Sequence, residues 1–318
     1  ACYFGTKKWV VIKIFHTLYC YFVLFFKLLG NYNETVYRPI NGGFGMLYDL
    51  IYILLCRAFN YKIYIHHHSF SYLCGSSFLF HLLNKFAGKS ATHIVLGDRM
   101  GSLLSDYYPI NKSNIIVLSN LAFFTEQLPL PREDNNTLIF GHLSNLCVEK
   151  GLDTFIDVCR TLSESGVDFL AKIAGPFHDE QSEKLVLGAV DEIPELVYLG
   201  PLFKQKKVDY FNSLDCFIFP SKYKNEAEPL VLYEAAINGA YLIGTKRGCM
   251  QDVIQEFSGF TCSENSQTVS QIVQHILTCI EHNSFSNLNR NSRVDMFQKQ
   301  QLKASHSSTL LIQEFKKP

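Results

Sequence analysis

The chain has 318 residues, of which 47% are hydrophobic, so it can form two domains of ordinary size with sizeable cores. Its 29 basic and 29 acidic residues cancel, but residues 1–120 hold 11 Lys/Arg against 4 Asp/Glu, a net charge of +7, and the remainder carries −7. The basic residues are spread out and accompany no recognition motif, so nucleic acid is not an expected partner. The ten cysteines occur singly, which favours reduced thiols in a cytoplasmic protein over zinc or disulfide sites.

The first predicted element is an apolar, aromatic helix over residues 9–29. The apolar run between Lys13 and Lys27 has 13 residues and is interrupted by His16, whereas a bilayer span needs about 20. We expect a core helix, or an interfacial helix whose lysines reach toward lipid headgroups, rather than a span. A basic, aromatic first half beside an acidic second half also predicts a surface that meets anionic lipid.

Strands and helices then alternate, which predicts a parallel, doubly wound α/β sheet. The histidines His66, His67 and His68 end one of the strands. Consecutive residues of a strand point to opposite faces, so these three side chains are not expected to converge on one metal. The predicted strands cover residues 35–40, 61–66, 92–96 and 115–118, and the predicted helices cover residues 46–59 and 78–86.

The best candidate for a linker is QLPLPREDNN at residues 127–136, which is rich in Pro, Asp and Asn. It divides the chain into a first α/β domain over 1–128 and a second over 136–296.

The segment at residues 215–245 (DCFIFPSKYKNEAEPLVLYEAAINGAYLIGT) carries the most information about function. The apolar run Cys216–Phe219, ended by Pro220, predicts a strand buried on both faces. Pro229 suits the first position of a helix and Gly239 the residue after its end, and a second apolar run predicts the next strand. In such a unit the helix begins at the carboxyl edge of the sheet, where its free N–H groups and its dipole favour an anion such as phosphate.

Two carboxylates accompany this predicted anion site. Glu226 precedes the helix, and Glu234 falls in the second turn, where a carboxylate can accept hydrogen bonds from two sugar hydroxyls. A phosphate site flanked by two such carboxylates fits a nucleotide-sugar.

This segment resembles the donor-binding motif of the retaining glycosyltransferases of family 4, also called group 1. These enzymes have two Rossmann-like domains that face a cleft, the GT-B fold. Their pattern of strand, Pro-Ser, variable loop, Glu-x7-Glu, Ala and Gly corresponds here to Pro220, Ser221, Glu226, Glu234, Ala235 and Gly239. Further landmarks follow the expected order at Glu149-Lys150-Gly151, Ala174-Gly175, Asp209, Asp215, Thr245 and Gly248.

The resemblance implies an enzyme that moves a hexose from a nucleoside-diphosphate sugar to a hydroxyl by front-face attack. It implies Lys150, Glu226 and His68 as catalytic residues, with Lys150 at the leaving diphosphate and His68 at the transferred sugar. No cofactor or metal is implied: the sequence has no Asp-x-Asp, and the fixed cation replaces it. The implied donor-binding residues are Glu234, Asn145, Gly175, Pro229, Leu230, Val231 and Ser221.

The sequence departs from the family pattern in three places. Asn145 stands where the family has an arginine, and Ala227 stands where it has a glycine after the first glutamate. Family members also begin with a strand and a Gly-rich loop, and the loop at residues 41–45 follows a later strand. We therefore expect a chain whose acceptor-side domain lacks its start and is completed by a C-terminal helix over 297–318.

Family habit and the charge asymmetry suggest an acceptor at the inner face of a bacterial membrane. It would be a growing capsule or lipopolysaccharide chain, or a lipid-linked sugar, reached by a cytoplasmic protein bound peripherally. Two alternatives stay open. A nucleotide-sugar epimerase of the same architecture would need acids from the first domain, and a non-catalytic remnant would bind nucleotide only. The acids of the first domain are Glu34, Asp49, Asp98 and Asp106.

Overall fold

The computed structural model describes residues 7–30, 34–125, 132 and 137–315, with side chains from residue 12 onward. The chain forms two compact units. The first contains the described residues up to Val95, together with Gly101–Val117 and the end of the last helix from Gln313. The second contains Leu96–Met100 and the described residues of Leu118–Ile312.

The first unit is a four-stranded parallel sheet with its strands in chain order. The strands lie within two residues of their predicted bounds, because each is a short apolar run ended by polar or turn residues. The strands are β1 (Thr35–Ile40), β2 (Lys62–His67), β3 (Thr92–Val95) and β4 (Ile115–Val117). The helices are α1 (Lys7–Gly30), α2 (Met46–Ala58), α3 (Phe78–Ala87) and, from Gly101 onward, α4 (Asp98–Tyr107).

Helix α1 exposes its apolar side chains. Phe15 is 67% exposed and Phe22 is 61% exposed, and Leu28 is the one buried side chain among those described in this helix. A core position for α1, one of the two expectations from sequence, is therefore wrong. Residues 12–30 also form a helix that is long and apolar enough to cross a membrane by length and composition, with a mean hydropathy of 1.5.

Asp49 has a structural role in the first unit. Its buried carboxylate accepts hydrogen bonds from the Arg38 guanidinium, at 2.5 and 3.0 Å, and from the backbone N–H of Asn41 at 2.7 Å. These bonds fix the turn between β1 and α2. They occupy both oxygens, which makes Asp49 a poor candidate for the proton-transfer acid that an epimerase would need.

The second unit is a six-stranded parallel sheet in the order β7-β6-β5-β8-β9-β10. From β5 the chain first adds β6 and β7 on one side of the sheet and then adds β8, β9 and β10 on the other side. The strand order therefore reverses between β5 and β8. The strands are β5 (Leu138–Leu143), β6 (Phe169–Ala174), β7 (Leu196–Tyr198), β8 (Cys216–Phe219), β9 (Tyr241–Thr245) and β10 (Phe260–Cys262). The helices are α5 (Leu152–Glu164), α6 (Glu180–Glu192), α7 (Gln205–Ser213), α8 (Leu230–Ile237), α9 (Met250–Glu256), α10 (Thr268–Glu281) and α11 (Asn287–Phe315).

Helices cover both faces of this sheet. One core packs around Phe155 of α5 and Ile276 of α10, and the other around Leu232 of α8 and Phe297 of α11. All four residues of β8 are buried, as predicted from its uninterrupted apolar run. Two α/β units with parallel sheets confirm the predicted fold class.

The predicted linker at 127–136 lies outside the described residues except for Arg132, which pairs with buried Asp215 at 3.0 Å. Helix α11 begins at Asn287, earlier than the predicted residue 297. Its last turn belongs to the first unit, where Glu314 accepts a hydrogen bond from the Tyr64 hydroxyl at 3.0 Å.

Glu228 anchors the start of the second unit to α8. One oxygen of its buried carboxylate accepts a hydrogen bond from the Asn120 backbone N–H at 2.5 Å, and the other accepts one from the Tyr233 hydroxyl at 2.8 Å. Burial outweighs these bonds and raises the pKa of Glu228 from 4.5 to about 7.

This raised pKa makes stability depend on pH in a defined direction. The contribution of Glu228 is fully present below pH 4.5 and is lost as the pH rises through about 7. Glu228→Gln removes this titration, so over that interval the wild type should lose up to about 3 kcal/mol relative to the variant. Denaturant unfolding of both proteins across the interval measures it, with Glu164→Gln at an exposed carboxylate as the control. A pH-independent difference between wild type and Glu228→Gln would contradict the assignment.

Candidate functional site

A cavity of about 580 Å³ opens in the second unit where β5, β6, β7 and β8 end. This is the carboxyl edge of the sheet at the reversal of strand order, the usual ligand site of open α/β sheets. Among the described residues that line it there are three lysines and no carboxylate. The lining residues are Leu143, Ser144, Asn145, Lys150, Gly175, Pro176, Pro201, Leu202, Phe203, Lys204, Lys207, Phe219, Pro229 and Val231.

Helix α8 begins at this cavity. Pro229 has extended backbone angles and is the N-cap residue. The helix therefore begins at Leu230, one residue later than predicted. Pro229 and Val231 line the cavity, while Leu230 is 52% exposed and is not part of the wall. Successive side chains on a helix point about 100° apart, which is why Val231 lines the cavity while its neighbour Leu230 does not. The first turn has no acidic residue, and its dipole favours an anion.

Lys150 extends from the short 3-10 turn that follows β5. Its Nζ lies 2.7 Å from Glu226 Oε2 and 4.6 Å from the centre of the Tyr223 ring. The same carboxylate oxygen accepts a hydrogen bond from the Ser221 hydroxyl at 3.1 Å. Glu226 and Ser221 are buried and do not line the cavity, so they orient Lys150 from behind.

Two glycines permit the close approach of the loops around Lys150. A Cβ on Gly151 (φ +82°) would lie 2.2 Å from the carbonyl oxygen of Pro220, and one on Gly175 (φ +126°) would lie 1.8 Å from that of Ser144. Neither position accepts a side chain without moving backbone. Both glycines were singled out from the sequence, and the structure gives the steric reason for them.

Glu234 is buried in the second turn of α8, as predicted. Its Oε1 accepts a hydrogen bond from Lys207 Nζ. Its Oε2 is buried and has no hydrogen-bond partner among the residues that the structure describes. A buried carboxylate oxygen without a hydrogen-bond partner is costly, so Oε2 has an unused capacity to accept a hydrogen bond.

Sequence reasoning missed Lys204 and Lys207. Lys204 is the N-cap of α7 and has the positive φ of 50° that is rare outside glycine, and Lys207 lies in the first turn of α7. The available signal was the cluster of three lysines at residues 204, 206 and 207. Its relevance depends on β7 lying beside β6 in the sheet, which the sequence does not reveal.

The remaining predicted site residues lie in two places. Asn145 is exposed on the cavity wall. His68 belongs to the first unit, where it follows β2 with its ring 4.0 Å from that of His66. His66 Nδ1 is hydrogen-bonded to the Tyr37 hydroxyl.

Comparison with known proteins assigns a family. The sequence profile described as "Glycosyl transferases group 1" matches residues 124–295, more than half of the chain. The matched region contains Lys150, Glu226 and Glu234 and every lining residue of the cavity. No curated protein matches the sequence.

Solved structures share the fold at low sequence identity. HepE from Anabaena in complex with UDP is 16% identical with a TM-score of 0.67, over 85% of this chain and 77% of that one. Sucrose-phosphate synthase from Thermosynechococcus elongatus is 16% identical with a TM-score of 0.67, over 89% and 74%. The pneumococcal O-GlcNAc transferase GtfA in complex with UDP and GlcNAc is 14% identical with a TM-score of 0.65, over 92% and 59%.

These structures have the GT-B fold that was predicted from the sequence. The profile match covers most of the second unit, including its whole cavity, which combines a helix N-terminus with three lysines. The chain therefore belongs to the group 1 glycosyl transferases and is a transferase.

Proposed function

We propose that this transferase moves a hexose from a nucleoside-diphosphate sugar to a hydroxyl acceptor, with retention of anomeric configuration. The observation that carries the proposal is the pairing, in one unit, of a lysine-lined cavity at the start of α8 with the unpartnered Oε2 of Glu234. The first feature suits a diphosphate and the second suits a sugar hydroxyl. Structural relatives solved with UDP support uracil as the first base to test.

The diphosphate would bind between the start of α8 and the lysines. Pro229 has no N–H, so donors must come from the following residues, of which Val231 lines the cavity. Lys204 and Lys207 add positive charge on the opposite wall. Lys150 and Lys207 are each paired with a buried glutamate, so the excess positive charge comes from Lys204 and the helix dipole, while all three ammonium groups can donate hydrogen bonds to the diphosphate oxygens.

The salt bridge with Glu226 would position Lys150 for the chemical step. Negative charge grows on the leaving diphosphate as the glycosidic bond breaks, and a cation held in place stabilises that charge without reorganising. Glu226 therefore acts through Lys150 in this proposal. The assignment of His68 to the transferred sugar stays a prediction from the sequence.

The exposed face of α1 supports a membrane-associated acceptor, either a polysaccharide under synthesis or a lipid-linked sugar. Its apolar side chains, including Phe15, Phe22 and Phe26, are flanked by Lys13 and Lys27 in a half of the chain with net charge +7. An apolar face with flanking cations suits the interface of an anionic bilayer. We infer peripheral attachment of a cytoplasmic protein to the inner face of the membrane.

Incubation of the full chain with radiolabelled nucleotide sugars tests the activity. Transfer, or slow hydrolysis that releases sugar of unchanged anomeric configuration, is the expected result. Release of an inverted sugar would overturn retention. Formation of an epimer, or binding without turnover for every donor and acceptor tried, would overturn the proposed transfer.

Glu234→Ala should weaken UDP binding by about 1.5–3 kcal/mol, the range for a hydrogen bond to a charged group. Titration calorimetry measures the loss, and Glu180→Ala at an exposed carboxylate is the control. Unchanged affinity for every nucleoside diphosphate would remove Glu234 from the donor site.

Lys150→Ala should lower kcat by about 100-fold, or about 3 kcal/mol, with a smaller effect on donor affinity, because the charge it stabilises is largest in the transition state. Lys184→Ala, at an exposed lysine, is the control. Glu226→Gln should cause a smaller loss of kcat, since it loosens Lys150 without removing it. Normal turnover by Lys150→Ala would show that the diphosphate is held elsewhere.

Vesicle binding should be strong for anionic lipid at low salt and should weaken as ionic strength rises, because the charges are screened. Phe22→Ser in α1 should weaken binding at every salt concentration, since it removes apolar surface. Co-sedimentation measures both effects. Equally strong binding to neutral vesicles would refute the electrostatic part of the attachment.

A further inference from the structure

The first unit contains a second cavity, of about 640 Å³, at the amino ends of β3 and β4. It lies between the end of α3 and the loop that precedes β4. This is the edge of the sheet opposite to the carboxyl ends at which parallel sheets usually bind substrates. Its volume falls in the range of small-molecule sites.

Two buried polar side chains form part of the wall. Asn84 is 8% exposed and His93 is 1% exposed, yet both line the cavity. The side-chain amide of Asn84 makes no hydrogen bond with the residues that the structure describes. Because Asn84 lines the cavity, its amide can bond there to water or to a ligand.

His93 continues a buried hydrogen-bonded chain. Its Nδ1 lies 3.0 Å from Nε2 of His67, and Nδ1 of His67 lies 2.8 Å from the hydroxyl of Tyr72. Both imidazoles are uncharged at neutral pH, because burial lowers the pKa of His93 to about 4 and that of His67 well below its usual value. Each ring therefore carries a single N–H.

The Tyr72 hydroxyl sets the direction of this chain. It is fully buried, and His67 is its one partner within the described ranges, so its proton must be donated to His67 Nδ1. The proton of His67 then sits on Nε2 and is donated to His93 Nδ1. The proton of His93 is consequently on Nε2, which has no partner among the described residues, and His93 is one of the residues that line the cavity.

The charge of the wall is positive. Lys85 and Lys89 line the cavity, and among the described lining residues there is no carboxylate. Arg57 lies beside the rim, since a Cβ on Gly88 would be 3.4 Å from the guanidinium carbon. Cations, an unpaired amide and a neutral imidazole N–H together suit a ligand that is anionic and rich in acceptor oxygens.

We propose that this cavity is a second binding site, for a small phosphate monoester such as a hexose phosphate. Asn84 and His93 donate hydrogen bonds to its oxygens, and Lys85 and Lys89 balance its charge. Tyr72 is a positioning residue, because it fixes the tautomer of His93 through His67. The site does not depend on the proposed transfer reaction.

The experiment is a titration of the full chain with inorganic phosphate and with glucose 6-phosphate. Calorimetry and the ring ¹⁵N NMR signals of His93 measure the binding. Both ligands should bind, the hexose phosphate more tightly, and both should shift the His93 signals. Asn84→Leu should weaken binding by about tenfold or more without lowering the unfolding temperature, because it removes an unpaired buried amide. Lys150→Ala should leave the shift of the His93 signals unchanged.

Tyr72→Phe separates the proposed role from a purely structural one. It should weaken binding several-fold and convert the His93 signals from the Nε2–H pattern to a mixture of tautomers. A wild-type His93 protonated on Nδ1, an unshifted His93 signal at saturating phosphate and hexose phosphate, or undiminished binding by Asn84→Leu would each overturn the proposal.

Discussion

The pairing of β5 with β8 is the constraint on which the second unit depends. These strands are distant in sequence, yet Phe140 lies opposite Cys216 and Gly141 opposite Phe217. Their adjacency brings the turn that carries Lys150 against the loop that carries Glu226. The contact is backbone to backbone at Gly151 and Pro220, so it tolerates no side chain and little movement. Cavity, salt bridge and helix start all follow from that one strand pairing.

The carboxylates and the lysines of this region differ in whether they line the cavity. Glu226 and Glu234 are buried, and each is held by one lysine, Lys150 or Lys207. Both lysines line the cavity while neither carboxylate does. The lysine ammonium groups thus form part of the cavity surface, and Lys207 neutralises Oε1 of Glu234 while Oε2 has no partner among the described residues. A dianionic ligand meets an attractive surface even though the second half of the chain is acidic overall.

The sequence predicted local structure well, because apolar runs, prolines and glycines act over a few residues. The run Cys216–Phe219 is an example, since uninterrupted apolar residues ended by Pro220 predict a buried strand. It predicted poorly what depends on distant packing. It did not predict that Lys204 and Lys207 line the cavity, because that depends on the order of the strands. It also did not predict that Glu226 lies outside the cavity wall, where it is bonded to Lys150 and Ser221. The apolar residues of α1 gave no signal that distinguished a covered helix from an exposed one.

The unpartnered oxygen of Glu234 has a further consequence, for discrimination between ligands. In the proposed donor site a ribose hydroxyl would satisfy this oxygen, whereas pyrophosphate, or a nucleotide that lacks that hydroxyl, would leave it buried and unpaired. A site built around a missing hydrogen bond rejects the analogue that cannot supply it far more strongly than an apolar pocket rejects a wrong shape. In the ligand-free protein this oxygen is already unpaired, so a ligand that supplies the hydroxyl gains the whole hydrogen bond and an analogue without it gains none of it.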